Sequence, residues 1–276
     1  MEFTGNIPYT LKNDYMFKAV FQENEKVLKG FLSSLLNIPV QSIQTIHIEN
    51  PIILGETVTN KSTCLDILLV LNNNSRINIE LQVVSQPYWI NRSLTYLCRL
   101  YNHLDVGEHY DQALKSIHIS IIDFQLFTNE ETFYSQNLLM DIKNHRIYSD
   151  NLCLNVLSLK HIENATQEER DSGLYDWAKL FAAKTWEELK MIAKNNETLQ
   201  EAQKTMQTLS DSWVVRLQCE MEEYDRRMHQ RQIKDAFEKG QEEGARKERE
   251  RMLAENQKLE TEVQRLKALL QQKTTD

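Results

Sequence analysis

The sequence predicts a mixed α/β fold: helix, three strands, helix, strand, then helices to the end. Three observations carry this. An apolar rhythm of three- and four-residue steps runs over 9–36, two closely spaced alternations of period two occupy 64–71 and 76–84, and strand signals vanish after about 165. Only seven glycines and four prolines occur among 276 residues, which favours helices over an all-β or disordered chain.

The first helix spans 9–36, with Phe17, Val20, Phe21, Val27, Leu28, Phe31, Leu32 and Leu35 on its apolar face and "NIP" at 37–39 ending it. A first strand is expected over 43–48 and 51–54, then a polar loop at 55–63. Strand two is 64–71, "NNNS" turns the chain, and strand three is 76–84, so the pair is an antiparallel hairpin. Ile90, Leu94, Leu97, Tyr101 and Leu104 then mark an amphipathic helix that Gly107 stops. Strands follow at 116–127 and 152–159. The expected division is a core at 1–165, a helical region at 166–240 and a long helix at 241–276.

Composition narrows the class. Hydrophobic residues at 41% and charged residues at 26% are ordinary for a globular protein. No basic leader with an apolar run opens the chain, and no apolar run reaches the ~18 residues a membrane span needs. A cytoplasmic protein without a membrane partner is the expectation. Cys64, Cys98, Cys153 and Cys219 are far apart and form no CxxC pair, so they read as reduced core thiols. The formal charge of −8 gives nucleic acid no general attraction, so any such partner must be held by a local site.

In the last helix Met252, Asn256, Leu259, Val263, Leu266 and Leu270 alternate steps of four and three. Leu at d, with Val and one Asn at a, is the pattern of a parallel two-stranded coiled coil. Glu262 at g meets Lys267 at e of a partner, whereas Glu255 and Glu260 repel one heptad earlier. About three heptads orient a homodimer more readily than they create one.

The hairpin carries the candidate chemistry. Glu80 and Gln82 share a strand face, being two residues apart, and Asp66 lies on the partner strand among Leu65, Ile67, Leu68 and Leu69. Thirteen residues separate Asp66 from Glu80, enough for two strand halves and a turn to bring them side by side. Hard divalent cations take such oxygen ligands, and phosphodiester hydrolysis uses the cation to activate water and offset phosphate charge. Taken singly, Asp66 reads as a buried aspartate capping a loop or pairing with an arginine, and Glu80 as the partner of a cation. On the following helix Arg92, Tyr96, Arg99 and His103 form one stripe opposite the apolar face. That stripe suits a phosphate backbone, or else an arginine paired to a core carboxylate. His103 and His109 read as ordinary histidines.

The order "CLDILLV…NIELQVVSQPYWINRSLTYLCRLYNHL" resembles the PD-(D/E)XK nuclease superfamily and, within it, the Rpn family of recombination-promoting nucleases, also grouped with transposases. The likeness runs from "LKNDYMFKAVF" (11–21) through "IHISIIDF" (117–124) and "VLSLK" (156–160), and more loosely to "AFEKGQEEGARKE" (236–248). It implies an αβββαβ core with a mixed central sheet and metal-dependent cleavage of DNA. By position, Asp66 and Glu80 are the implied Mg²⁺ ligands, with Mn²⁺ as a substitute, and the Leu81 carbonyl completes the shell. Gln82 stands where the wider superfamily has Lys, Leu65 where it has Pro, and Asp14 where a supporting polar residue is common. A neutral amide orients water but supplies no positive charge, so a slower or more metal-reliant enzyme is expected.

Two functions are in contention: an Mg²⁺-dependent DNA endonuclease tied to recombination or mobile DNA, with Arg92 and Arg99 on the backbone and Tyr96 in support, and a non-catalytic nuclease-like scaffold working through its coiled coil. A transposase proper ranks last, because no three-acid strand-transfer core or helix-turn-helix is visible.

Overall fold

The computed structural model describes residues 3–53 and 63–273, so most of the polar loop expected at 55–63 lies outside the described residues. The chain divides into two compact units, 1–222 and 223–276.

The first unit opens with two helices, α1 (Asp14–Glu23) and α2 (Glu25–Leu36), where one was expected. Asn24 makes the break. Its backbone is extended and its side chain accepts from Lys26 N and Val27 N, capping α2. Asn13 caps α1 in the same way by accepting from Met16 N.

A six-stranded mixed sheet follows among the described residues. Its strands are β1 (Ile46–Ile48), β4 (Ile67–Leu71), β5 (Ser75–Gln82), β6 (Lys115–Ile122), β8 (Arg146–Ser158) and β7 (Tyr134–Asp141), in that spatial order. The short pair β2 (Ile52–Ile53) and β3 (Thr63–Cys64) lies apart. The β4–β5 hairpin is antiparallel, as its spacing requires, whereas β5–β6 and β6–β8 are parallel. Asn72 and Asn73 close the hairpin at positive φ, a conformation asparagine tolerates better than most residues. The Asn72 side chain also accepts from Gln44 N and Thr45 N, which fixes the approach to β1. Strand two is shorter than its sequence pattern, because Leu65 and Asp66 interrupt it between β3 and β4. Strand β7 had no forecast; its exposed, polar-rich "YSQNLLMD" lacks a clean alternation.

The two sheet faces have different fates. Ile67, Leu69, Ile77, Ile79, Leu81, Ile117, Ile119 and Ile121 enter one core cluster with α1 and α2. That cluster also holds residues of α5 (Leu174–Ala182), α6 (Trp186–Ala193), α7 (Glu197–Asp211) and the first turns of α8 (Trp213–Lys273). The short α4 (Gln167–Asp171) precedes them, capped by Thr166. The texture change near 165 is therefore a change of secondary structure within one continuous core. Phe17, Phe21, Phe31, Trp177 and Phe181 form its aromatic centre, with ring centroids 4.8–6.2 Å apart, each such pair adding about 0.5–1.5 kcal/mol beyond area burial. This packing sets the position of α1.

On the opposite face α3 (Trp89–Tyr101) packs through Trp89, Tyr96, Leu97 and Leu100. It covers a polar stripe of Asn78, Glu80, His118 and Ser120, all buried.

The second unit is the remainder of α8, which begins earlier than the 241 read from the sequence. Met252, Leu259 and Val263 are exposed there, while the side chains of Leu266 and Leu270 lie outside those described. No helix among the described residues is long and apolar enough to cross a membrane.

Candidate active site

Asp66 stands just before β4. The register Ile67↔Ile79, extended by one residue, sets it opposite Glu80. In place of a ladder bond, Asp66 Oδ2 accepts the Leu81 N–H at 2.8 Å. Its other oxygen meets a cation from α1: Lys18 Nζ lies 3.0 Å from Asp66 Oδ1 and 2.7 Å from Asp14 Oδ2, one helical turn earlier.

Glu80 is 2% exposed beneath α3. Its Oε1 accepts from Arg92 Nη2 at 2.9 Å. The guanidinium is engaged on every nitrogen, since Nε donates to Tyr96 Oη at 2.8 Å and Nη1 to Gln86 Oε1 at 3.2 Å. It also lies 5.0 Å and 5.4 Å from the ring centroids of Tyr96 and Trp89. Glu80 Oε2 is buried and has no hydrogen-bond partner among the described residues.

Beside Glu80, Asn78 Nδ2 donates to His118 Nδ1 at 2.9 Å, and His118 Nε2 meets Ser120 Oγ at 3.1 Å. Burial, then the charge of Arg92, pushes the imidazole pKa down to about 3, so the ring is neutral and keeps its proton on Nε2.

The two acids resist ionising together. Burial, then the charge of Asp14, raises Asp66 to about 6, against the pull of Lys18 and the Leu81 N–H. Burial, then the charge of Asp66, raises Glu80 well above the usual carboxylate range, and Arg92 opposes the rise. Three carboxylates (Asp14, Asp66, Glu80) thus face two cations (Lys18, Arg92), which leaves a negative excess in a poorly solvated place. A divalent cation corrects that imbalance. The donor set fits Mg²⁺ or Mn²⁺, which take one or two carboxylates with water and substrate oxygens. Glu80 Oε2 has no hydrogen-bond partner among the described residues, and each oxygen of Asp66 keeps a second lone pair. No group of three or more His, Cys, Asp or Glu side chains suited to a metal occurs among the described residues.

The structure therefore brings together Asp14, Asp66, Glu80, Arg92 and Tyr96 of the residues singled out in the sequence. Gln82 stands apart in its bonding: its amide donates to Val84 O at 2.7 Å. Arg99, half-buried, borders a groove on α3 with Leu94, Thr95 and Cys98. His103 is structural, accepting from Leu114 N, and His109 is exposed. Sequence reasoning missed Lys18, Asn78 and His118. The one signal for Lys18 was its i,i+4 spacing from Asp14; His118 carried only its place in an apolar strand.

A family model described as PD-(D/E)XK nuclease family transposase matches residues 11–236. No curated protein and no solved structure gives a significant match.

Proposed function

The chain belongs to the family of PD-(D/E)XK nuclease transposases, which gives it a nuclease- or transposase-related function, and we propose that it is a cytoplasmic, divalent-metal-dependent DNA endonuclease linked to recombination or mobile DNA. One observation supports this above others: the buried Glu80 and the half-buried Asp66 stand opposite each other on the hairpin, and one oxygen, Glu80 Oε2, has no hydrogen-bond partner among the described residues. Asp66, Glu80 and the Leu81 carbonyl would hold Mg²⁺, or Mn²⁺ in its place. When bound, the ion supplies a polarising charge for water and for the phosphate oxygens. The chain's own residues do the positioning. The Leu81 N–H and Lys18 fix Asp66, Asp14 fixes Lys18, and Arg92 fixes Glu80 with Tyr96 behind it. Gln82 lines the strand end as a neutral donor. Both arginines on α3 are assigned to the DNA backbone, Arg92 through the two N–H that Glu80, Tyr96 and Gln86 leave over. Residues 1–165 carry the chemistry, the helical region 166–240 follows with α5, α6 and α7 packed into the same core, and 241–276 pair two copies in a parallel coiled coil, so that two sites act on two strands.

Incubating the purified protein with supercoiled plasmid and Mg²⁺ or Mn²⁺, beside Asp66→Ala, tests the reading. Metal-dependent nicking by the parent alone is expected; equal nicking by both proteins rejects it. Sedimentation with and without 246–276 tests the dimer, and identical monomers reject that part.

The scaffold reading keeps one specific support: Gln82 is turned to Val84 O, and Arg92 engages Glu80. Calorimetric titration with Mn²⁺ separates the two, because a scaffold takes up no ion at Asp66 and Glu80.

A further inference from the structure

Cleaving a phosphodiester gathers negative charge on the phosphate, and a cation close to the acid pair lowers the barrier. Which side chain supplies it is not evident from the hairpin. Gln82 is neutral and its amide is bonded to Val84 O. Arg92 is turned to Glu80, Tyr96 and Gln86, which take three of its five N–H. Lys18 stands on the other side of the pair, beside Asp66. Its ammonium has three donors, of which Asp66 and Asp14 take one each. The third has no protein partner among the described residues, and 29% of the side chain is exposed. Two carboxylates from different elements hold Nζ beside Asp66.

We propose that Lys18 is a catalytic residue: its ammonium, steered by Asp14 and Asp66, donates to the scissile phosphate and supplies from helix α1 the positive charge that Gln82 cannot. The proposal rests on the nuclease reading above. Two features place Lys18 where such a donor is needed. The aromatic packing of Phe17 and Phe21 fixes α1 rigidly, so the lysine is delivered from a helix and not from a mobile loop. Asp14 gives the ammonium an anchor that remains when Asp66 turns toward a cation. Arginine would be a poor replacement, because its planar fork cannot meet two carboxylates and a phosphate from three directions.

Four full-length proteins test this: the parent, Lys18→Met, Lys18→Met/Asp14→Asn and Lys18→Met/Gln82→Lys. Plasmid nicking, Mn²⁺ binding by calorimetry and thermal melting are measured on each. The double variant with Asp14→Asn removes the repulsion that Lys18→Met alone leaves on Asp66, so a folded lysine-free protein is at hand even if the single variant melts. The expected result is nicking reduced about 100-fold in the lysine-free proteins, Mn²⁺ affinity unchanged or tighter because a competing cation is gone, and at least ten-fold recovery with Gln82→Lys. Nicking within about three-fold of the parent in a folded lysine-free protein overturns the proposal and leaves the nuclease reading standing. Loss of Mn²⁺ binding together with nicking also overturns it, making Lys18 a support for Asp66. A parent that neither binds Mn²⁺ nor nicks removes the nuclease reading, and this assignment with it.

Discussion

Asp66 and Glu80 face each other across one hairpin, yet their surroundings are opposite in kind. Asp66 is held from the α1 side, and both of its oxygens are bonded, to Lys18 and to the Leu81 N–H. Glu80 is held from the α3 side by one arginine, and its second oxygen has no hydrogen-bond partner among the described residues. The cations differ in kind: Lys18 is an ammonium shared between two carboxylates, and Arg92 is a planar fork spread over Glu80, Tyr96 and Gln86. In the proposed reading, the cation would sit with Glu80 and Asp66, and the phosphate would meet the donors around them.

The sharpest way to break the comparison is on the Glu80 side. Arg92→Leu leaves a carboxylate that is 2% exposed without its counter-charge, and a loss of about 3 kcal/mol in urea unfolding is expected. Adding Glu80→Gln should restore most of it. A larger loss in the double variant than in the single one would show that Arg92 stabilises by packing on Trp89 and Tyr96 instead.

His118 comes next. Its folded pKa of about 3 lies below the unfolded value of 6.5, so the stability it contributes is full above pH 6.5 and is lost as pH falls toward 3. His118→Gln should flatten the fall in stability between pH 6.5 and 4 by about 3 kcal/mol, measured as midpoint against pH. An unchanged slope would mean that the imidazole is hydrated.

On the Asp66 side the sign reverses. The folded pKa of about 6 lies above the ordinary 3.8, so this contribution is full below about pH 4 and is lost as pH rises through 6. Without added metal, Asp66→Asn should stabilise the protein at pH 7 by on the order of 1–3 kcal/mol and leave it unchanged at pH 3.5. Millimolar Mn²⁺ should raise the melting temperature of the parent and not of this variant. The smallest effect belongs to Gln82→Ala, which removes one half-buried hydrogen bond to Val84 O and should cost about 1 kcal/mol or less.

Much of the fold was legible because periodicity is a local property. The alternation of Ile77, Ile79 and Leu81 against Asn78 and Glu80 fixed a strand and its two faces, and the short "NNNS" fixed an antiparallel partner. The break at Asn24 was harder to see, because a cap acts through one side chain and leaves the apolar rhythm intact. Strand β7 was invisible, since an exposed edge carries little hydrophobic signal.

The candidate site divides along the same line. Which acids share a strand end follows from sequence spacing, since period two and a short turn leave little choice for Asp66 and Glu80. Which cation serves each acid does not, because the partners lie 48 and 12 residues away along the chain, on helices whose placement depends on packing. The burial that turns two ordinary carboxyls into a pair reluctant to ionise likewise exists only once α1 and α3 close over the hairpin. The sequence alone determined the hairpin, its two faces and the two acids it carries. Tertiary structure decided that Lys18 stands at the first acid and Arg92 at the second, because helix packing sets distances that no local pattern encodes.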